Sequence, residues 1–377
     1  MRIRAGVSPI RFIRLTPGFC FVAVAGVVAT ATCTFGQSIT SIGLPPGGSF
    51  SGANAVNASG SAVAANVDMA SAYRWTSAGL VGLGLLPGAY ATSAEDISSD
   101  GSVIVGGMFF DSPEETARAH RWTSAGGLQD LGVLPGGVAS VASGVSGDGN
   151  MVTGLSFDVD FNTTAFRWTS GGGMQSLGTL PGGTTSEGRK VSRDGGTIIG
   201  MAGTSAGDRA FAWTQSSGMQ NLGLLSPEDG ASSAWGVNAN GTVVAGTSGT
   251  NAVIWINGVA QNIGMLPGAS NAIAFTLSDD GSLVGGCSFF GFEATATLWS
   301  QTLGTVDLNT YLPTLGVDLT GWELDYTRDI SSDGTTIVGE GVFNGELRGW
   351  VVTIPSPGAT ALLGIGGLMA ARRRRLR

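Results

Sequence analysis

The chain has 377 residues, of which 63 are glycine, and only 12% of its residues are charged. Hydrophobic residues make up 42%, too large a share for a disordered chain, and the glycines follow no three-residue period, which excludes a collagen-like helix. Nine of the 19 basic residues lie in residues 1–36 and 356–377, which contain no acid. The central part therefore has ten bases against 27 acids, a net charge of −17, which disfavours nucleic acids and anionic lipids as partners.

The first 36 residues have the order of a secretory signal peptide. Arginines precede an apolar run over residues 19–31, and small residues follow it; the arginines are Arg2, Arg4, Arg11 and Arg14. We expect export of the chain, with cleavage after Ala31 or after Gly36. Since Cys20 and Cys33 lie in this segment, Cys287 is the only cysteine left in the body, where we expect a small buried hydrophobic residue.

The body of the chain, residues 37–355, repeats one pattern seven times. A tryptophan recurs at spacings of 42 to 51 residues, and only Trp235 and Trp322 fall outside the series. The repeated tryptophans are Trp75, Trp122, Trp168, Trp213, Trp255, Trp299 and Trp350.

Each repeat carries the signals of four short strands. A Ser-x-Asp-Gly turn or a close variant follows the first strand, as at residues 98–101 and 146–149. Asp-Gly between apolar runs indicates a hairpin, because such a turn needs a positive φ. The second strand is rich in β-branched residues, the third contains the tryptophan, and the fourth ends in Leu-Gly-x-Leu-Pro-Gly. Four strands in roughly 45 residues is the unit of a β-propeller blade.

The two ends of the repeat series predict a closed ring. The seventh repeat stops at residue 355 without an outer strand, whereas the body begins with residues 38–45, which have the form of the missing strand. Closure by this strand would remove the open sheet edges. The sequence therefore predicts an all-β, seven-bladed β-propeller closed by an N-terminal strand that completes the last blade. A β-solenoid or an array of sandwiches is the alternative.

The repeats resemble the HAF family of extracellular repeats. Residues 118–123 (Arg-Ala-His-Arg-Trp-Thr) and 173–183 (Gly-Met-Gln-Ser-Leu-Gly-Thr-Leu-Pro-Gly-Gly) carry the resemblance, which extends over nearly all of residues 38–355. It implies a secreted or surface protein of undefined activity. Repeats five to seven lack the arginine before the tryptophan, so we expect that arginine, as in Arg74, to lie along the sheet with its charge in water.

Residues 356–377 form a second targeting segment. Pro355 and Pro357 precede an apolar stretch over residues 359–371, and an arginine cluster follows: Arg372, Arg373, Arg374 and Arg375. The segment resembles the PEP-CTERM sorting signal, with Ser356 where that signal has Glu. The resemblance implies an exosortase-type processing enzyme as a partner, and a chain tethered to the membrane by a hydrophobic anchor before any processing. An ordinary C-terminal anchor is the alternative.

Metal and cofactor signals are sparse in the body. The chain has one histidine, His120, and no Cys/His cluster, which argues against zinc. Asp158 and Asp160, in one loop, are candidates for binding Ca²⁺ through their oxygens. We expect His120 at the surface or at a blade edge, and no other cofactor.

The main functional prediction is a surface-tethered, non-catalytic propeller of the cell envelope or extracellular matrix, which binds a polysaccharide or protein or has a structural role. Recognition would fall to the long loops at one end of the ring, residues 108–116, 157–164 and 301–321. A polysaccharide-active hydrolase or lyase is the first alternative, with Tyr326 beside Glu323, Asp325 and Arg328 as its candidate cluster. A Ca²⁺-dependent adhesin is the second alternative.

Overall fold

Antiparallel strands account for nearly all regular structure in the computed structural model, which describes residues 20–24, 27–31, 37–111 and 116–354. Strands Cys20–Val24 and Val27–Ala31 pair with each other. The rest of the predicted signal peptide and the sorting residues Pro355, Pro357 and Arg372 to Arg375 lie outside the described residues. In the described part, no helix is long and apolar enough to cross a membrane.

Seven antiparallel sheets follow one another over residues 38–354, and each forms one blade. From blade 1 to blade 7, the innermost strands are Ser51–Val56, Asp96–Ile97, Ala139–Val145, Ser186–Val191, Ser232–Val237, Asn271–Leu277 and Trp322–Ile330. The second strands are Ala62–Val67, Val103–Phe110, Met151–Phe157, Thr197–Ala202, Val243–Ser248, Val284–Phe290 and Thr336–Phe343. The third strands are Ser71–Thr76, Ala117–Thr123, Thr163–Thr169, Arg209–Thr214, Asn251–Ile256, Glu293–Ser300 and Glu346–Thr353. The outer strands are Gly79–Gly82, Gly127–Asp130, Gly173–Ser176, Gly218–Asn221, Val259–Asn262, Gly304–Asp307 and Ser38–Ser41.

Two short helices connect blades. The 3₁₀ helix Pro227–Asp229 precedes blade 5, and the α-helix Leu308–Thr314 lies between blades 6 and 7. Leu308 and Leu312 of the α-helix are fully buried in the core between these blades. The helix thus occupies the middle of the predicted long loop over residues 301–321.

The ring closes as the sequence predicts. Ser38–Ser41 pairs antiparallel with the third strand of blade 7, with Ile39 opposite Val352. The first strand of the ring is therefore the outer strand of its last blade, and the seven-bladed propeller is confirmed for the described residues. Such pairing lets the covalent chain hold the ring together at the seam between blades 7 and 1.

The turns between first and second strands use the predicted chemistry. In blade 2 the Ser98 hydroxyl donates to the Asp100 carboxylate at 2.7 Å, and the same carboxylate accepts the amide of Ser102 at 2.9 Å. The glycine that ends each of the seven turns has φ between 70° and 75°. Glycine adopts this left-handed conformation without steric cost, which explains its recurrence.

These turns also join the blades into a hydrogen-bonded ring. Seven backbone N–H···O=C bonds of 2.9–3.3 Å between neighbouring turns close the circle. The second residue of the turn donates in six blades, and the third residue, Asp194, donates in blade 4. The donor and acceptor pairs are Ala58 and Ser99, Ser99 and Gly147, Gly147 and Arg193, Asp194 and Ala239, Ala239 and Asp279, Asp279 and Ser332, and Ser332 and Ala58. We call this end of the propeller the turn face and the opposite end the loop face.

The arginine before the repeated tryptophan links neighbouring blades. Arg74 of blade 1 donates from Nε to the carbonyl of Gly101 in the turn of blade 2 at 2.8 Å, and Arg121 does the same to Gly149 of blade 3 at 3.0 Å. A charged side chain along the sheet thus satisfies a turn carbonyl of the next blade, which supports the structural role expected from the sequence.

The hydrophobic core is divided among the interfaces between blades, with a buried cluster at each of the seven within the described residues. Six repeated tryptophans lie opposite a β-branched residue of the second strand, as Trp122 lies opposite Ile104. Trp350 instead lies opposite Gly339, and Val352 takes the equivalent position opposite Ile337. Trp350 is therefore two residues out of register with the other six, on the same side of its strand.

Blade 2 has a split innermost strand. Ala89–Thr92 and Asp96–Ile97 both pair with the second strand, and three residues bulge between them. The freed carbonyl of Ser93 accepts a hydrogen bond from Nε2 of His120 at 2.8 Å. Gly106 makes room for this bond, since a Cβ there would overlap the carbonyl oxygen. His120 is fully buried, so the expected surface position is wrong.

Candidate functional site

The innermost strands line a central channel, and each carries an extra residue at the same height. Register shifts place a β-bulge there in six blades, and the split strand supplies the equivalent residue in blade 2. A bulge redirects a side chain away from the ladder, which makes it a common device beside functional sites. We call these seven residues the girdle: Asn54, Glu95, Ser143, Arg189, Trp235, Phe275 and Arg328.

Four girdle residues from blades 4 to 7 join in an arc, in which an arginine flanks each end of an aromatic pair. The Arg189 guanidinium lies 3.5 Å from the centre of the Trp235 ring, and that ring meets Phe275 edge to face at 5.7 Å. Arg328 lies 5.2 Å from the Phe275 ring centre and 4.6 Å from that of Tyr326. Cation–π contacts of this kind hold the arginine heads against the channel wall.

Both arginines of the arc also contact carboxylates. Arg328 Nη2 lies 2.9 Å from Glu340 and Arg189 Nη2 lies 3.4 Å from Glu187. Two buried donors of the arc, Nε of Arg328 and Nε1 of Trp235, have no hydrogen-bond partner among the described residues. Buried donors are normally satisfied, and these two N–H groups are exceptions that have almost no surface open to solvent.

Below the girdle, toward the turn face, one lysine bridges the channel. Lys190 of blade 4 lies 2.8 Å from the carboxylate of Asp96 of blade 2. Asp96 accepts a hydrogen bond from the backbone amide of Val145, after the bulge of blade 3. Asp329 of blade 7 accepts one in the same way from the amide of Val56 in blade 1. Burial alone would lower the pKa of Lys190, but Asp96 and Asp329 together outweigh burial and raise it. Burial raises the pKa of Asp329, and Lys190 opposes the rise. We call Lys190, Asp96 and Asp329 the floor.

Arg193 closes the channel at the turn face. Its Nε lies 2.7 Å from Asp279 of blade 6 and its Nη1 donates to the hydroxyl of Ser99 of blade 2 at 2.8 Å. Gly147 of blade 3 makes room, because a Cβ there would lie 2.5 Å from Cγ of Arg193. A cavity of about 60 Å³ remains inside, lined by floor residues, Phe275 and Arg193. Such a volume holds a few water molecules.

Above the girdle, toward the loop face, the predicted glycan cluster lies on the innermost strand of blade 7. Asp325 is a second bulged residue of this strand, between Leu324 and Tyr326. Burial, and then the nearby charges of Glu323 and Glu340, raise the pKa of Asp325 to about 6. Burial also raises the pKa of Tyr326. The structure thus brings Tyr326, Asp325 and Arg328 to the channel wall.

The α-helix before blade 7 supports this strand. Asp307 caps the helix by accepting the amide of Asn309 at 2.8 Å. The Asn309 side chain accepts the amide of Leu324 at 2.8 Å and donates to the carbonyl of Leu324 at 3.0 Å. The helix is therefore fixed next to Asp325 by a pair of hydrogen bonds.

The predicted calcium residues lie in the loop between the second and third strands of blade 3. Both carboxylate oxygens of Asp158 accept hydrogen bonds from within the loop, from Asp160 and Asn162. Across the described residues, no group of three or more His, Cys, Asp or Glu has the arrangement of a metal site. Calcium binding by Asp158 and Asp160 stays a prediction.

Cys287 matches its expectation. The thiol is free and fully buried, and burial raises the pKa of Cys287 to about 12. It lies in the second strand of blade 6, near Arg328 and Tyr326 of blade 7.

Several channel residues were missed at the sequence level, although two left signals. Trp235 is one of the two tryptophans outside the repeat series, and Lys190 is the only lysine of the chain. Glu95, Asp96, Arg189 and Asp329 show no comparable signal. Each lies at or next to a bulge, and the bulge cannot be read from the alternation of the strand.

Comparisons place this architecture among known propellers. No family model and no curated protein matches the chain. A solved oligogalacturonate lyase in complex with manganese shares the fold at a TM-score of 0.55, with 13% identity over 89% of this chain and 96% of that one. An oligogalacturonate lyase from Vibrio parahaemolyticus shares the fold at a TM-score of 0.54, with 11% identity over 84% of this chain and 93% of that one. A TolB from Agrobacterium tumefaciens has a TM-score of 0.46, with 15% identity over 84% of this chain and 97% of that one.

The comparisons contradict the main functional prediction. A non-catalytic binding or structural propeller was expected, but the fold is shared with two structures of oligogalacturonate lyase. The findings agree better with the first alternative, a polysaccharide-active propeller. The predicted export, membrane tethering and sorting stay predictions.

Proposed function

We propose that the chain is a polysaccharide-active enzyme that works in the half of the channel nearer the loop face. The observation that carries the proposal is Asp325, a half-buried carboxyl with a pKa of about 6 beside Tyr326 and the Arg328–Glu340 pair. A carboxyl group that holds its proton up to a pH of about 6 can protonate a glycosidic oxygen under mildly acidic conditions.

The surroundings of Asp325 support a sugar as the ligand. The rings of Trp235, Phe275 and Tyr326 line the wall, and the guanidinium groups of Arg189 and Arg328 lie against these rings. Further out, the loops between second and third strands expose Phe161 at 74% and Phe292 at 106%. Apolar ring faces with a few convergent polar groups are typical of small-molecule sites.

The site is compatible with two ways to break a glycosidic bond. In a hydrolase, Asp325 would protonate the leaving oxygen while a carboxylate, Glu323 or Glu340, activates water for attack on the anomeric carbon. In a lyase, a base would remove the proton next to a uronate carboxylate, a C=C bond would form, and the C–O bond would break with a proton passing to the leaving oxygen. The guanidinium of Arg328 favours the second route, because the side chain is partly exposed and an arginine can hold that carboxylate.

The proposal is tested with the purified full chain on a panel of neutral and acidic polysaccharides. New reducing ends report both reactions, and the ultraviolet absorbance of an unsaturated uronate reports the lyase alone. We expect Asp325→Asn and Tyr326→Phe to lose the activity, with Glu293→Gln, an exposed carboxylate of blade 6, as the control. If Asp325 acts as the acid, activity falls as the pH rises through about 6. Activity that survives both substitutions would refute this site.

A further inference from the structure

The channel has a single entrance for molecules larger than water. At the turn face, the backbone ring and Arg193 connect blades 2, 4 and 6 across the axis. Above them the Lys190–Asp96 bridge, with Asp329 beside it, forms a second barrier of oppositely charged groups. Two ion-paired cations of the same blade therefore separate the girdle from the solvent at the turn face.

The barriers are built into the packing of the strands. Gly147 of blade 3 leaves the space for the Arg193 side chain, since a Cβ there would lie 2.5 Å from Cγ of Arg193. Gly144 lets the backbone of blade 4 approach, since a Cβ there would lie 2.8 Å from Cα of Lys190. The remaining cavity of about 60 Å³ is smaller than a sugar ring needs. A glycan chain cannot pass through the propeller. Any part of a glycan that reaches the girdle must therefore enter from the loop face and stop at the floor.

We propose that the channel receives the end of a glycan chain, so that the enzyme acts on chain ends and releases short products. This inference rests on the proposed function, and it adds the mode of action. Asp325 and Tyr326 lie on the innermost strand of blade 7, on the loop-face side of the girdle, so a polymer lying across the loop face has to turn into the channel to reach them. A chain end can enter directly, and the floor sets how many sugar units lie beyond the reacting bond.

The first test compares the cleavage of one glycan with free and with blocked ends. For the polysaccharide that the panel identifies, we expect mono- or disaccharides from the first turnovers, with little loss of viscosity, and loss of activity on cyclised or end-blocked forms. Equal rates of cleavage on the free and the blocked forms would overturn the inference about chain ends but would still support the proposed enzymatic activity. Early products of intermediate length would overturn it as well.

The second test does not depend on cleavage, because Lys190 is the only lysine and reports on the floor. The chain is treated with acetic anhydride at alkaline pH, with and without oligosaccharides from the same panel, and modification of Lys190 is followed by mass spectrometry. We expect oligosaccharides with free ends to protect Lys190, and the cyclised forms not to. Free-ended forms that give no protection would refute insertion of the chain end.

Arg193→Ala is the matched variant for the closed end. Without the guanidinium the reagent can reach Lys190 from the turn face, so we expect bound oligosaccharide to protect Lys190 in the wild type and not in the variant. Protection that persists in Arg193→Ala would contradict a single entrance. If oligosaccharides protect Lys190 and none is cleaved, the proposed function fails while the recognition of chain ends holds.

Discussion

The buried His120 makes stability depend on pH in a way that can be calculated. Its imidazole is fully buried, it donates to the Ser93 carbonyl, and burial lowers its pKa from 6.5 to about 4. Between these two values the unfolded chain binds a proton that the folded chain does not. The contribution of neutral His120 to the free energy of unfolding is therefore fully present above pH 6.5 and is lost as the pH falls toward 4.

The size of the effect follows from the two pKa values. Linkage gives a loss of about 2 kcal/mol in the free energy of unfolding between pH 7 and pH 5, and roughly 3 kcal/mol once the pH is below 4. Such a change is a substantial share of the stability of a typical domain. It should appear as a clear fall of the denaturation midpoint on mild acidification.

The measurement is chemical denaturation of the wild type and of His120→Gln at several pH values from 7 to 4.5. The His120→Gln variant is less stable if the glutamine does not make the hydrogen bond to Ser93, but glutamine does not titrate. The two proteins are therefore compared by the slope of their free energy of unfolding against pH. Asp325 acts in the opposite sense, because its raised pKa costs stability as the pH rises through about 6. Asp325→Asn therefore serves as the second control. Parallel pH profiles for wild type and His120→Gln would refute the assignment.

Three further predictions concern closure, packing and the thiol. Deleting residues 38–45 should abolish the cooperative melting followed by circular dichroism, because the outer strand of blade 7 closes the ring; a ring that still melts near the wild-type temperature would contradict this. Gly147→Ala should cost about 1–3 kcal/mol in chemical denaturation because its Cβ meets Arg193 and Ser99, whereas Gly171→Ala, with nothing within 4 Å, should change stability by under about 0.5 kcal/mol. Cys287 should resist thiol-specific alkylation in the native chain and react after unfolding, as read from its peptide by mass spectrometry, because its thiol is buried and its pKa is about 12; rapid native labelling would show that blade 6 opens.

The blades could be predicted from the sequence because the rules that form them are local. Asp-Gly at residues 100–101 requires a turn with positive φ, and the structure places Gly101 at 73°. The pairing of Ser38–Ser41 with blade 7 also followed from the sequence, since a missing strand at one end matched a surplus strand at the other. Counting tryptophans found the third strand of every blade.

Counting could not give the register. Trp350 lies two residues from the position of the other six, because a strand places residues two apart on the same side and either can fill the interface. His120 shows the same limit: its burial depends on the split strand of blade 2 and on the space left by Gly106, and neither is visible in the third strand itself.

The candidate site was within reach of the sequence only in part. Tyr326, Asp325 and Arg328 lie within four residues, so their clustering could be inferred from one segment. Lys190 and Asp96 are 94 residues apart, and Arg193 and Asp279 are 86 apart. The sequence by itself determined a seven-bladed ring. Only the tertiary structure decided which side chains meet on its axis, because ring closure and the bulges of the innermost strands bring together residues from separate blades that no local pattern connects.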